Sequence, residues 1–594
     1  MTDSDGSEEE DSHDESNDPD FCQMSPDDCI RYWALAGNEK HTTIRRMLKI
    51  LRAKTDLKLP KDPRTILRTQ RDRANIVDIG NGKFWYQGIR CCLTTELRKY
   101  DSFPSNIEFD INIDGLPLHR GARKEFWPIL LKVVDHPISP VLIVGIYSGP
   151  SKPQSNELFL RPLVDELNSL TITGLEINNV IIHIKLRAII ADMPARSFIK
   201  GVQGHKGRQF CMKCCCEGES IQRRMVFADL NAPMRTDADF RNRVYKVHQT
   251  GTTPLIELHN FDIMQDVITC DSLHQIDIGV TIKFLKIWHD GVLPGRKRWN
   301  PVLCAKVNRH LQSLIFPIEA YRKLPRLEEL SHWKGAECNT FLLYAAPVVL
   351  KGVLSNREYR HFMLYFCGIT IFSSTAHREH WNVAQQMLKD FVGQSGSIYG
   401  KISVTPNMHT LAHIYEEAMR FGSLQNYSTY VFESKLAHIK QRLIRTSYRC
   451  LEQAIRRILE FENFQMPYKN GTCDKPYIKK RGQTIILNVR KGFTFRNDGV
   501  NDWFLTSRNQ VCHFISAKNT EGNYTITCKM FGTVYEYFNE PVSSLLLHIY
   551  AAERNDYMLE DYDVDISEVK CKLVSIFDEV ESKQVLFPLL RTLK

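Results

Sequence analysis

The chain has no run of about 18 consecutive apolar residues, so no apolar membrane-spanning helix is expected. Its acidic start lacks an apolar h-region, and a secretory signal is not expected either. No internal repeat is visible, which argues against a repeat array. Lys and Arg are missing from the first twenty residues, "MTDSDGSEEEDSHDESNDPD", which hold ten acids. A block-charged segment of this kind (1–24) is expected to be a disordered tail. Removing those ten negative charges from the net +9 leaves +19 on the rest of the chain. That basic balance favours a polyanionic partner. Seventeen cysteines without a signal peptide read as reduced thiols, some of them on metal, in cytosol or nucleus.

What is present divides into several units, because 594 residues exceed one ordinary core. Residues 25–82 read as a small helical unit. Ile44, Met47, Leu48 and Leu51 recur at the spacing of an amphipathic helix, whose other face carries Arg45, Arg46, Lys49 and Arg52. Those cations suit either a solvated face or DNA phosphates. From 83 to 215 the pattern turns to α/β. "SNIEFDINIDGLPL" alternates, with Ile107, Phe109, Ile111 and Ile113 on one face and Asp110, Asn112 and Asp114 on the other. "FWPILLKVV" and "PVLIVGIYSG" suit central strands, "NELFLRPLVDELNSL" suits a helix, and "NVIIHIKLRAIIADMP" is a strand that stops at Asp192. A mostly helical insertion is expected over 216–425, a helix with a basic flank over 426–466, a basic linker over 467–482 and a β-rich module over 483–594.

Acids at the ends of neighbouring strands, joined by one on a later helix, can hold two divalent ions for phosphoryl transfer. Over roughly residues 105–465 the chain resembles the transposases of the CACTA (En/Spm) group of DNA transposons. The resemblance is carried by "NIDGLPL", "LFLRPLVDELNSL", "IIADMPARSFIKGVQGHKGRQFCMKC", "DSLHQIDIGV" and "YVFESKLAHIKQ", with "LKLPKDPRTIL" upstream. It implies a ribonuclease-H-like α/β core interrupted by the helical insertion. It also implies a DDE triad on Mg²⁺ or Mn²⁺, formed by Asp114 in "NIDG", Asp192 in "ADMP" and Glu433 in "VFES". Asp110 competes for the first role from the same strand face; Asp114 is preferred because it sits at the strand end beside a glycine turn. The family's D-x-x-H signature falls on Asp271 and His274. Residues three apart share a helical face, so the pair suits either the catalytic cleft or a capped helix start with a buried histidine.

Cys211 and Cys214 follow Asp192 closely, and two thiols cannot complete a tetrahedral zinc site. His409 and His413 in "PNMHTLAHIYEE" have the H-x₃-H spacing that could supply the other ligands. Cys215, Cys216 and His205 are alternatives. The arrangement looks similar to the zinc site of the vertebrate V(D)J recombinase. One ion would then tie the chain after the second acid to the helix before the third.

The expected function is metal-dependent cleavage at transposon ends and strand transfer into target DNA. The alternative is a transposase-derived host protein that binds DNA or partners without catalysis. Lys200, Lys206, Arg208, Lys435, Lys440 and Arg442 flank the acids and are candidate contacts to double-stranded DNA. Lys479, Lys480 and Arg481 form a further basic cluster, either a DNA contact, a nuclear import signal or a solvated linker. The resemblance implies a nuclear protein acting as a homodimer or larger assembly.

Overall fold

The computed structural model describes residues 21–70, 74–100, 102–118, 124–134, 140–320, 323–443, 449–462, 464, 475–554, 556–558 and 560–593. The acidic tail expected over 1–24 lies largely outside them. Ser25 caps α1 (Pro26–Ala36), its hydroxyl accepting the Asp28 amide, and α2 (His41–Lys54) and α3 (Pro63–Ile66) follow. Ala34, Leu35, Ile44, Leu48, Ile66 and Leu67 close a small core that includes Phe464.

The second unit begins earlier than the expected residue 83. β1 (Ile76–Ile79) and β2 (Gly82–Tyr86) form a hairpin whose second strand pairs with the main sheet. After α4 (Ile89–Leu97) come β3 (Asn106–Ile113), the short β4 (Leu116–Pro117), β5 (Glu125–Val133) and β6 (Leu142–Gly149). Then follow α5 (Asn156–Thr173), β7 (Leu175–Ile177), β8 (Val180–Ile190) and α6 (Met193–Lys200). A small hairpin, β9 (Glu219–Ile221) with β10 (Arg224–Val226), precedes β11 (Val267–Ile268).

The main sheet runs β1-β2-β6-β5-β3-β8-β11. β3, β5 and β6 are an antiparallel meander, whereas β8 lies parallel to β3 and β11 parallel to β8. The continuous apolar runs became central strands because both faces of the sheet are covered. All eight residues of β6 are buried. One face packs Phe109, Ile111, Leu131 and Val144 against Leu93 of α4 and Phe159 and Leu163 of α5. The other packs Leu130, Ile143, Ile146 and Ile190 against the helical region, including Phe284 and Phe341.

The insertion expected over 216–425 therefore contains sheet residues. β11 completes the sheet at 267–268, and the helical region starts at Ser272. Helix Tyr430–His438 and helix Cys450–Glu462 return the chain to the core.

The expected linker over 467–482 is also partly strand. β12 (Tyr477–Arg481) pairs with β13 (Thr484–Arg490), and β14 (Phe493–Arg496) completes a three-stranded sheet, followed by an eight-stranded antiparallel sheet. This β-rich module docks on the helical region through Lys572, whose buried ammonium lies 2.6 Å from Glu319. Among the described residues no helix is long and apolar enough to cross a membrane.

Candidate metal centres

Parallel register brings two acids to the same level. Asn112 of β3 faces Ile190 of β8, and each chain reaches an aspartate two residues later, Asp114 and Asp192. The Asp192 side chain caps α6, accepting the Ala195 amide at 2.8 Å. Pro194 lies in the first turn, where its missing N–H costs nothing. That explains why an apolar strand ends on a carboxylate followed by Met-Pro.

Asp110 is buried and receives Arg187 Nε at 2.9 Å and Nη2 at 2.5 Å, which commits its carboxylate to that guanidinium. Asp114 is half-buried and spends one oxygen on the neighbouring Gly115 amide at 2.7 Å.

Asp271 starts a π-helical segment, Ser272–Thr281, by accepting the amides of Leu273 at 2.9 Å and His274 at 3.2 Å. The helix start is capped as the second reading of D-x-x-H has it, but His274 is half-buried, and the same carboxylate lies 3.4 Å from its Nδ1. His274 Nε2 in turn lies 3.5 Å from Glu433 Oε1. Helix Tyr430–His438, which carries Glu433, is fixed to the π-helical segment by three further pairs. Ser272 donates to Ser428 at 2.8 Å, Thr429 to Asp271 at 2.6 Å and Tyr430 to Asp277 at 2.7 Å.

Asp114, His274 and Glu433 each present a ligand atom within 4.8 Å of the others. Burial raises the Asp114 carboxyl, and the charges of Asp192 and Glu433 raise it further, to about 8. Burial disfavours the His274 imidazolium, but Asp271 and Glu433 outweigh it and push His274 up to about 10. Gathered carboxylates that repel one another in a partly buried cleft fit a divalent cation, which would relieve that repulsion.

The second centre is buried. Cys211, Cys214, His409 and His413 present ligand atoms that all lie within 4.8 Å of one another. Cys214 Sγ is 3.2 Å from His409 Nε2, Cys211 Sγ is 3.5 Å from His413 Nε2, and the two sulfurs are 3.5 Å apart. Zinc bonds of about 2.3 Å to sulfur and 2.0–2.1 Å to nitrogen give tetrahedral edges of roughly 3.3–3.8 Å. The observed edges match a site of that size. Burial raises the Cys211 thiol, but the Cys214 hydrogen bond and His413 outweigh it and hold Cys211 well below the usual thiol range. The Cys214 amide also points at Cys211 Sγ, at 3.4 Å. Cys215, Cys216 and His205 are not part of the cluster.

The basic residues divide. Arg45, Arg46, Lys49, Lys206, Lys440, Lys479, Lys480 and Arg481 are exposed. Arg208 is exposed and 3.8 Å from Glu217. One expectation is corrected. Lys200 is buried and donates to the Ile263 carbonyl at 3.0 Å, so it cannot reach DNA. Lys435 is half-buried; desolvation lowers its ammonium below the usual range, offset by the carboxylates of Glu462 and Glu96. The side chain of Arg442 lies outside the described residues. Sequence reasoning missed Lys213, Glu417 and Asp277. Their one signal was position, beside or one helical turn from a motif residue.

Residues 469–589 match a family described as a domain of unknown function, DUF8592. The match covers the C-terminal β-rich module and none of the two centres. No curated protein matches the chain.

Proposed function

We propose that this protein is a DNA transposase of the CACTA type, built on a ribonuclease-H-like core. Two observations carry the reading: the register of β3 and β8 sets Asp114 level with Asp192, and Asp114, His274 and Glu433 gather their ligand atoms, a cluster that does not include Asp192. The strand order β6-β5-β3-β8-β11, antiparallel over the first three and parallel thereafter, agrees with such a core. The substrate is double-stranded DNA, at transposon ends and at the target. The protein acts in the nucleus as a homodimer or larger assembly, since two ends must be held together.

Asp114, Asp192 and Glu433 would hold Mg²⁺ or Mn²⁺, and the chemistry such ions would supply is charge stabilisation of the attacking and leaving oxygens in phosphoryl transfer. His274 Nε2 lies 3.5 Å from Glu433 Oε1 and would keep that carboxylate turned into the cleft. Asp271 and Thr429 hold the other side of the imidazole, so its orientation is set before substrate arrives. The Cys₂His₂ cluster holds a structural zinc. Exposed Arg45, Arg46, Lys49, Lys206, Arg208 and Lys440 supply phosphate contacts.

The test is Mg²⁺-dependent nicking of DNA bearing the element's own end sequence. Asp192→Asn should keep the fold and DNA binding and lose nicking. Full nicking by that variant overturns the triad, and a wild-type protein that binds the ends without nicking is the transposase-derived binding protein instead.

A further inference from the structure

The two centres are joined by a buried ion pair. Lys213 sits inside the C-x-x-C motif, and its ammonium lies 2.9 Å from Glu417 Oε1, with both side chains fully buried. Glu417 follows His413 by one helical turn, on helix Ile414–Phe421. The pair is therefore anchored at each end by residues of the Cys₂His₂ cluster.

What the pair grips is the chain running into Asp271. Lys213 donates to the carbonyls of Met264 at 2.8 Å, Gln265 at 3.3 Å and Val267 at 3.4 Å. Glu417 accepts the Thr269 amide at 2.8 Å, the Thr269 hydroxyl at 2.7 Å and the Cys270 amide at 3.0 Å. Arg196, from the helix that Asp192 caps, donates to the Ile268 carbonyl at 2.7 Å. Several backbone groups of the segment 264–270 are thus held by side chains, where a two-residue strand supplies few ladder bonds. The next residue is Asp271, which orients His274.

We infer that Lys213 and Glu417 are positioning residues that transmit the state of the Cys₂His₂ cluster to Asp271 and His274. The inference rests on the cluster holding zinc, as proposed above. Zinc fixes the Cys211–Cys214 turn and the His409–His413 segment relative to each other. That fixes Lys213 against Glu417, and Glu417 then fixes the amides preceding Asp271. Without the ion the two anchors separate and the Asp271 cap loosens. The ion pair is a linkage more than a source of stability, since a buried pair rarely outperforms an apolar replacement.

The test is hydrogen exchange on the full chain, read at the amides of 271–276, which neither Lys213 nor Glu417 touches. In the wild-type protein, removing zinc with a chelator should raise exchange there by about tenfold or more. In Lys213→Met/Glu417→Gln, exchange should already be raised with zinc bound, and chelation should add little. Glu417→Gln alone, which keeps the shape and an acceptor, serves if the double variant does not fold. Unchanged exchange at 271–276 in the folded zinc-bound variant overturns the inference. Mn²⁺ affinity, followed by the paramagnetic resonance of free Mn²⁺, should fall by about tenfold in the same variant. If the wild-type protein takes up no Mn²⁺ while exchange behaves as expected, the acidic-site reading fails and the relay stands. If it contains no zinc, the zinc reading fails, and the comparison of variant with wild type still decides whether the ion pair holds Asp271.

Discussion

Arg187 closes a two-point ion pair on Asp110 and, with the same guanidinium, donates to the Asn426 carbonyl at 2.6 Å. One side chain therefore joins β3, β8 and the turn that leads into the Glu433 helix. Arg187→Ala leaves the buried Asp110 carboxyl without its partner, and breaking such a pair costs about 3–5 kcal/mol. Denaturant unfolding should show that loss, and an unchanged midpoint would rule out a structural role for the pair.

The Asp114 carboxyl is raised to about 8 in the metal-free fold. A group raised on folding contributes stability that is fully present below its unfolded value, about 4. That contribution is lost as pH rises through about 8. The melting temperature of metal-free protein should therefore fall between pH 4 and 8, and Asp114→Asn should flatten that slope while weakening Mn²⁺ uptake. A slope identical in wild type and variant would show that Asp114 does not titrate in this range.

Elemental analysis of the purified protein should find about one zinc per chain, as a four-ligand structural site implies. His409→Ala/His413→Ala should lose it, and Cys215→Ala/Cys216→Ala should keep it. Zinc retained by the histidine variant would show that the cysteines have other partners.

Tyr430→Phe removes the hydroxyl that Asp277 accepts at 2.7 Å and leaves a buried carboxyl short of a partner. The expected loss is about 1–3 kcal/mol, together with weaker Mn²⁺ binding as the Glu433 helix shifts. Stability lost with Mn²⁺ affinity intact would separate the helix anchor from the site.

DNA affinity should depend on α2. Reversing charge at Arg45, Arg46 and Lys49 should weaken binding and reduce the salt slope by about 0.9 for each phosphate contact removed. Lys200→Met should leave that slope unchanged, because its ammonium is committed to the Ile263 carbonyl. An unchanged slope in the α2 variant would take this helix off the DNA.

The sequence disclosed what strict periodicity or fixed spacing encodes. Alternation marked β3, continuous apolar runs marked β5 and β6, and the stripe of Leu160, Leu163, Val164 and Leu167 marked α5. The C-x-x-C and H-x₃-H spacings pointed to four residues that the fold brings together. β11 was invisible because two residues have no period, and it displaced the start of the helical region to Ser272. The polar face of β3 is covered: Asp110 and Asn112 are buried, Asp110 paired with Arg187 and the Asn112 amide nitrogen donating to the Ile190 carbonyl at 2.9 Å. Lys200 and Lys435 read as DNA-facing cations, and Lys213 was overlooked, for a related reason. A lysine's burial is decided by carbonyls and carboxylates distant in sequence, and no local pattern reports them.

Arg31 of α1 donates to the Glu460 carbonyl at 3.2 Å, and Arg457 donates to the Glu39 carbonyl at 2.8 Å. The first helices of the chain are thereby clasped to the helix that follows Glu433, with Phe464 in the same small core. A shortened protein cut between α3 and β1 would not leave a clean core fragment. It would strip the cover from helix Cys450–Glu462, so any test of α2 must alter its side chains and leave the α1 clasp in place.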